Sequence, residues 1–298
     1  MTSPIRKDIL KRWHDAADFI GTPSEAYSLR KTKVLKGKGD YFLIAYSNPY
    51  RQKRYQASSN LEDCVLCEVL NRSKENNILD IFKDEKFPFL ITPNIYPLIE
   101  GASIAISKIK KPMFDVKTPN NLANELETLF NFGDETGFRI YHNSFGMGAT
   151  IPEHEHYHLL NFSPFTNGLG EEFGFDGARD FLEIVLGVKK MAGFPFAHAI
   201  FEQKDPAKIE YFIRKLNEAH GRNYEFGRVP NSLAQGQNGI LIVPAKKFMK
   251  KGRGAGDVAG RWYCVDEDAL EKATFSSAFE ELGEILFKED EMNVKSLL

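Results

Sequence analysis

Apolar and polar positions alternate along the first half of the chain in a pattern that predicts several strands and two amphipathic helices. Apolar residues at helical spacing predict helices over residues 4–20 and 120–131, with Leu122, Leu126 and Leu129 on one side of the second helix. Runs of aromatic and aliphatic residues predict strands over residues 41–47, 87–92, 102–107, 138–142 and 153–162. A glycine-containing loop joins the last two strands.

The second half of the chain echoes the first only in the order of its predicted elements. Helices are predicted over residues 178–190, over residues 206–220 and from residue 268 onward, and strands over residues 194–201, near residue 224 and over residues 239–243. Residues 163–177, rich in glycine, form the clearest break in composition. Strands and helices in both halves indicate an α+β or α/β architecture of sheets with packed helices.

Three regions follow from this pattern. Residues 1–40 are predicted to form an N-terminal helical extension, residues 41–165 a first half with the candidate site, and residues 178–298 a second half. The sequence shows no repeat at the residue level, so an internal duplication rests on the element order alone.

Composition and charge narrow the possible functions. The 298 residues are 42% hydrophobic and 27% charged with a formal net charge of -2, which is typical of a globular protein and gives no general reason to bind a nucleic-acid backbone. The N-terminus lacks the apolar core of a signal peptide, and the longest apolar stretch, residues 87–106, contains three prolines. A cytoplasmic protein that binds neither membrane nor nucleic acid is therefore expected. Three cysteines do not make a disulfide framework.

The segment His154-Glu-His-Tyr-His158 carries the strongest chemical signal. In a strand, residues two apart share a face, so its three histidines point to one side and Glu155 and Tyr157 to the other. An imidazole that is neutral near pH 7 is a competent nucleophile, and its phosphorus adduct can pass the group onward. Three packing histidines on one strand face would each need polar partners.

The loop before this strand has the composition of a phosphate-binding loop. Gly146 and Gly148 allow backbone N–H groups to approach an anion, and Asn143, Ser144 and Thr150 add side-chain donors. Three aligned histidines could instead hold a transition metal, and Gly148-x5-His154-x-His156 resembles the opening of the cupin metal motif. The cupin pattern expects a Glu shortly afterwards, where this chain has Leu160 and Asn161.

Several motifs together resemble the histidine-triad superfamily, in the branch of galactose-1-phosphate uridylyltransferase, diadenosine tetraphosphate phosphorylase and GDP-galactose phosphorylase. They are Gly146-Met-Gly-Ala-Thr-Ile-Pro-Glu-His-Glu-His-Tyr-His158, Cys64-Val-Leu-Cys67 and Ile91-Thr-Pro-Asn-Ile-Tyr-Pro-Leu-Ile-Glu-Gly101. Weaker matches in the second half extend the resemblance over residues 41–265. It implies an α+β fold of antiparallel sheets with packed helices, in two related half-domains of which the second is degenerate.

The resemblance also implies roles for individual residues. His156 would attack the α-phosphorus of a nucleotide, His158 would contact the phosphate or the departing group, and His154 would ligate a metal or orient the nucleophile. Phosphate oxygens would bind Asn143, Ser144, Gly146, Gly148 and Thr150, the nucleoside would face Asn94, and distal phosphates would meet Arg51 and Arg54. Cys64, Cys67 and His154 would be three ligands of a structural zinc ion, and the sequence does not reveal a fourth ligand. The alternative for the two cysteines is that they pack as small apolar residues.

The expected reaction is nucleotide transfer or phosphorolysis of a nucleoside diphosphate sugar or dinucleoside polyphosphate, through a nucleotidyl-histidine intermediate. Phosphate or a sugar phosphate would be the acceptor, no organic cofactor is expected, and a homodimer would cover exposed sheet edges. Relatives that transfer nucleotides usually carry Gln at the third triad position, whereas His158 is typical of the hydrolases. A nucleotide hydrolase is therefore the first alternative, followed by a cupin-like metal enzyme and a non-catalytic nucleotide-binding protein.

Overall fold

The computed structural model describes residues 4–22, 31–36, 42–48, 64–94, 97, 99–111, 121–144, 147, 151, 154–161, 180–202, 204–224, 227–236, 239–247 and 255–298. The helices are α1 (Pro4–Phe19), α2 (Val65–Glu75), α3 (Asn121–Thr136), α4 (Pro206–His220), α5 (Ala255–Val258), α6 (Glu267–Lys272) and α7 (Phe275–Ile285). The strands are β1 (Lys31–Lys36), β2 (Phe42–Ser47), β3 (Phe89–Pro93), β4 (Ser103–Ser107), β5 (Arg139–Asn143), β6 (His156–Leu160), β7 (Phe181–Val185), β8 (Val188–Met191), β9 (Ala199–Phe201), β10 (Asn231–Gly236), β11 (Gly239–Pro244) and β12 (Tyr263–Cys264).

Nine of these strands form one antiparallel sheet in the order β3-β4-β6-β5-β10-β11-β9-β8-β7. A smaller sheet has the order β1-β2-β12. The architecture is α+β, as the sequence predicted.

The nine-stranded sheet contains the same topology twice. Strands β3 and β4, helix α3 and strands β5 and β6 follow one another along the chain and lie in the order β3-β4-β6-β5. Strands β8 and β9, helix α4 and strands β10 and β11 do the same, in the order β8-β9-β11-β10. The two sets meet where β5 pairs with β10, with Asn143 opposite Ser232. One continuous sheet therefore contains β6, which carries His156 and His158, and its topological counterpart β11.

The two faces of the large sheet are covered differently. Helices α1, α3 and α4 pack on one face, where their apolar residues share a core with strand residues such as Phe89, Tyr157 and Phe201. On the opposite face, α2 packs through Leu66 on Leu90 and Ile106 of β3 and β4. The small sheet and α7 cover the second half of that face. In β6, His156 is paired with Ile106 of the cluster beneath α2, and Leu160 belongs to the second cluster.

Several predicted elements are confirmed, and two predictions for the second half are wrong. The structure has the predicted helix over residues 206–220 with the same bounds, because Asp205 caps it and Pro206 begins it. Residues 178–190, predicted as a helix, contain the hairpin β7–β8, because Gly187 at φ 75° makes a tight turn that a helix would not allow. The strand predicted near Tyr224 is not found among the described residues there, and Tyr224 itself follows the 3-10 helix Gly221–Asn223.

The remaining differences concern shorter stretches. The strand predicted over residues 194–201 is limited to β9, and the helix predicted from residue 268 is divided into α6 and α7, because a Thr274–Ser277 capping box starts a new helix. Strand β1 lies within the stretch predicted as a helical extension. Among the described residues, no helix combines the length and apolar character needed to cross a membrane.

Candidate active site

Two cysteines and one histidine meet at the N-terminus of α2. Cys64 caps the helix, and its sulfur accepts a hydrogen bond from the backbone N–H of Cys67. The Nδ1 atom of His154 lies 3.2 Å from the sulfur of Cys64 and 3.4 Å from that of Cys67. The three donor atoms lie within 4.8 Å of one another, close enough to hold one metal ion. The helix cap thus assembles the residues that the sequence suggested as ligands.

The hydrogen bond that His154 makes through Nε2 favours such a site. Its Nε2 atom lies 2.9 Å from the carbonyl oxygen of Ser107, which can only accept, so the proton of the neutral ring is on Nε2. The Nδ1 lone pair then points at the two sulfurs. Burial and the neighbouring Cys67 raise the pKa of the Cys64 thiol, and a bound cation would oppose this by stabilising the thiolate. Two cysteine sulfurs and one histidine nitrogen are ligand atoms typical of a zinc site.

His156 is oriented by the residue two positions before it. Its Nδ1 atom lies 2.8 Å from the carbonyl oxygen of His154 and donates its proton there. The nucleophilic nitrogen of the neutral ring is therefore Nε2. The side chain is 5% exposed, and its strand position is paired with Ile106 of β4.

His158 shares this face of the sheet with His156. The two ring centroids are 5.6 Å apart at an interplanar angle of 69°. The ring of His158 also stacks on that of Tyr141, its cross-strand partner on β5, with 4.5 Å between centroids and 4° between planes. This stack fixes the plane of the His158 imidazole beside the ring of His156.

The other substrate-binding candidates differ in position. Asn143 ends β5 on the same face as Tyr141, two residues earlier, and lies opposite Ser232. Ser144 is buried, and its hydroxyl accepts a hydrogen bond of 2.7 Å from the backbone N–H of Asn231, so it joins β5 to β10. Asn94 follows β3, two strands away from β6. Gly146, Gly148, Thr150, Arg51 and Arg54 lie outside the described residues.

The opposite side of the histidine strand carries a buried polar group that the sequence did not reveal. Glu155 and His142 are both fully buried, and the carboxylate Oε1 of Glu155 lies 2.7 Å from His142 Nε2. Burial lowers the pKa of His142 well below its ordinary value, so the ring is neutral. The alternation of the strand offered one signal, because it places Glu155 on the face that packs against helices, where a carboxylate needs a partner.

Among the residues that the structure describes, His154, His156 and His158 do not form one metal-binding group. Within the part of the chain that the structure describes, the group able to hold a metal ion is Cys64, Cys67 and His154, and the rings of His156 and His158 have the other roles given above. This arrangement does not support the cupin-like alternative.

No protein-family model and no curated protein matches this sequence. Three crystal structures of yeast Ap4A phosphorylase Apa2 do match its fold. The first has a TM-score of 0.64, and the similarity covers 97% of this chain and 96% of that one. The structures of the same yeast enzyme in complex with Ap4A and with AMP both have a TM-score of 0.63. The similarity covers 97% of this chain and 99% of each of those chains. Sequence identity is 14% in each case, so the similarity is one of fold.

Proposed function

We propose that this chain is a nucleotidyltransferase of the phosphorylase type that acts on dinucleoside polyphosphates through a nucleotidyl-histidine intermediate at His156. The observation that carries the proposal is the hydrogen bond from His156 Nδ1 to the carbonyl oxygen of His154, which leaves Nε2 as the nucleophile beside His158. The similarity in fold to an enzyme whose crystal structures contain Ap4A and AMP supports this substrate class.

The proposed reaction has two balanced steps. The Nε2 lone pair of His156 attacks the α-phosphorus of Ap4A, the bond from that phosphorus to the bridging oxygen breaks, and ATP leaves with the electron pair. Phosphate then attacks the same phosphorus, the bond to Nε2 breaks, and ADP is released. Nε2 needs no deprotonation before attack because the ring proton is on Nδ1.

The neighbouring residues would stabilise the charge that develops on the phosphate. His158, held by its stack on Tyr141, would donate to a phosphate oxygen or to the leaving group. Asn143 lies on the same face and would add an amide donor. The other substrate contacts remain predictions. They are the nucleoside with Asn94, the α-phosphate with Ser144, Gly146, Gly148 and Thr150, and the distal phosphates with Arg51 and Arg54.

Zinc is the metal that we propose for Cys64, Cys67 and His154. Two sulfurs and one imidazole nitrogen are typical ligands of structural zinc, and the hydrogen bond from His154 to Ser107 directs the right nitrogen towards them. When bound, the ion would fix α2 to the start of β6. His154 would then serve twice, because its side chain ligates the ion and its carbonyl orients His156.

The division of the chain is also a proposal. The matching topology of β3–β6 and β8–β11 supports two related halves over residues 41–165 and 178–298, preceded by an extension over residues 1–40. In β11, the residues on the face that corresponds to that of His156 and His158 are Leu241 and Val243, so the second half would lack the chemistry. A homodimer would cover the outer strands of the large sheet.

Hydrolysis is the second candidate reaction, because an imidazole at position 158 can activate water as an amide cannot. The products distinguish the two. We would incubate the protein with Ap4A, with and without phosphate, and separate the nucleotides by ion exchange. ADP with ATP would show phosphorolysis, and AMP with ATP would show hydrolysis. If neither Ap4A nor any nucleotide sugar of a panel were consumed, the proposed function would be wrong.

A further inference from the structure

We propose that Glu155 is a positioning residue for His156 and acts through its buried hydrogen bond to His142. The proposal rests on the function proposed above, since it assigns His156 as the nucleophile. Glu155 stands between His154 and His156 in the sequence, but its side chain bonds to His142 on the face of the sheet opposite to His156.

The backbone of Glu155 is held on both sides. Its N–H donates to the carbonyl oxygen of Lys111 at 2.7 Å, and its carbonyl oxygen accepts from the N–H of Ser107 at 3.0 Å. Ser107 also accepts the Nε2 proton of His154 through its own carbonyl oxygen. The peptide groups on either side of Glu155 are therefore fixed to the end of β4 and to the segment that follows it.

The side chain of Glu155 adds a bond to a second strand. The Nε2 atom of His142, on β5, lies 2.7 Å from the Glu155 carboxylate, and both side chains are 0% exposed. His142 is neutral, since burial and the nearby Lys111 lower its pKa. A carboxylate accepts only, so the imidazole carries its proton on Nε2 and donates it to Glu155. The start of β6 is thereby tied to β4 by backbone and to β5 by side chain.

The residue on the other side of His156 is tied in a similar way. The hydroxyl of Tyr157 donates to Oε2 of Glu125 on α3 at 3.3 Å, and Glu125 forms an ion pair with Lys111. Burial raises the pKa of Tyr157 well above its ordinary value, so the phenol keeps its proton. The rings of His142 and Tyr157 contact each other with centroids 4.6 Å apart. His156 thus projects from a stretch whose two neighbours are anchored beneath the sheet.

This anchoring bears directly on nucleophilic attack. Nε2 must approach the α-phosphorus in line with the leaving group, and a displacement of about 1 Å can slow such a step about 100-fold. Binding of the nucleotide depends on other groups. Loss of the His142–Glu155 bond should therefore slow adduct formation and leave the half-saturating substrate concentration nearly unchanged.

The test compares three variants by single-turnover formation of the AMP adduct from Ap4A. The double variant His142→Leu with Glu155→Leu removes both partners of this hydrogen bond together, so neither the carboxylate nor the imidazole is left buried without the other. Glu155→Gln keeps an acceptor for the His142 proton. Glu210→Leu is the matched control, since Glu210 is another buried carboxylate, which accepts from the N–H of Ala123 at 2.8 Å in a position between α3 and α4.

We expect the double variant to form the adduct about 10- to 100-fold more slowly than the wild type at unchanged half-saturation. Glu155→Gln should retain most of the rate, and Glu210→Leu should lower thermal stability without slowing the step. A folded double variant within about twofold of the wild-type rate, or an equal loss in Glu155→Gln or Glu210→Leu, would overturn the proposal. If the double leucine variant does not fold, the double variant His142→Phe with Glu155→Val replaces the same two residues with apolar side chains of different shape and takes its place in the test.

Failure of the proposed function gives a different result. If the wild type formed no adduct, the assignment of His156 as nucleophile would fail. The positioning claim would then be measured by the 15N shifts of the His156 ring. We expect the Nδ1–H tautomer in the wild type and in Glu155→Gln, and a mixture of tautomers in the double variant. Identical shifts in all three proteins would contradict positioning by Glu155.

Discussion

The carbonyl oxygen of His154 lies 2.8 Å from Nδ1 of His156, and the ring of the same His154 points its own Nδ1 at Cys64 and Cys67. One residue therefore links the candidate metal ligands to the candidate nucleophile. Its side chain would ligate the proposed metal ion, and its backbone carbonyl accepts the Nδ1 proton of the neighbouring His156 ring. A metal without contact to substrate can influence chemistry in this way.

Loss of a cysteine ligand should remove the metal. In Cys64→Ser and Cys67→Ser we expect zinc, measured by elemental analysis of the purified protein, to fall from about one ion per chain to near zero. The free energy of unfolding should fall too, because an ion present at 100 times its Kd contributes about 2.7 kcal/mol.

Cys264→Ala supplies the control for the cysteine variants. Cys264 is buried in β12 within a hydrophobic cluster and lies outside the metal-ligand group. This variant should keep the full zinc content. Equal zinc in Cys64→Ser and Cys264→Ala would contradict the proposed site.

His158→Gln should change the fate of the adduct more than its formation. An amide can donate to a phosphate oxygen but cannot take a proton from water, and general base catalysis contributes about 100-fold or more to such steps. We expect the ratio of ADP to AMP among the products formed from Ap4A in phosphate buffer to rise about 10-fold or more. An unchanged ratio would show that His158 does not govern the choice between phosphate and water.

Acid should destabilise the fold partly through His198. Burial lowers the pKa of His198 to about 4, from an ordinary value of 6.5, and its Nε2 accepts from the N–H of Met191 at 2.8 Å. The unfolded state binds this proton more readily, so the contribution to stability is complete above pH 6.5 and is lost as pH falls towards 4. Between pH 7.5 and pH 5, this histidine should account for about 2 kcal/mol.

The contribution of His198 to stability can be measured by urea unfolding of the wild type and of His198→Gln at pH 7.5 and pH 5. The glutamine oxygen can accept from Met191, so the variant should fold. We expect its free energy of unfolding to fall by about 2 kcal/mol less than that of the wild type on acidification. Equal pH dependence in both proteins would show that His198 is not buried in its neutral form.

Gly239→Ala should be strongly destabilising. Gly239 begins β11 at φ 123°, and an added Cβ would lie 2.3 Å from the carbonyl oxygen of Phe201 on β9. Backbone strain and the clash together should cost about 3 kcal/mol in chemical denaturation. Gly193→Ala is the control, because Gly193 has φ 72° with nothing within 4 Å and should cost about 1 kcal/mol. Equal costs would place β9 and β11 further apart than described.

The sequence predicted the parts of the site that depend on local spacing. Alternation with a period of two residues predicted that His156 and His158 lie on one face of the strand. The contact between their rings agrees with this prediction. The helix predicted over residues 206–220 is α4, which Asp205 caps and Pro206 begins. The hairpin β7–β8 was missed because Phe181, Ile184, Val188 and Met191 also fit helical spacing, and the turn at Gly187 decides between the two structures.

Contacts between distant residues were beyond what spacing can reveal. The bond between His142 and Glu155 depends on the tertiary arrangement around β5 and β6, and neither residue is unusual by itself. Strand β10 was not predicted because Asn231, Ser232 and Gln235 make it polar, although it is buried between β5 and β11. The approach of Cys64 and Cys67 to His154 was suggested by the resemblance alone.

The most direct test of the central claim is the intact mass of the protein after incubation with Ap4A in the absence of phosphate. We predict that the wild type gains the mass of one AMP residue, that the modification maps to His156, and that added phosphate discharges it as ADP. His156→Gly should gain nothing. A wild type without any adduct, or an adduct that persists in His156→Gly, would contradict the assignment of His156 as the nucleophile.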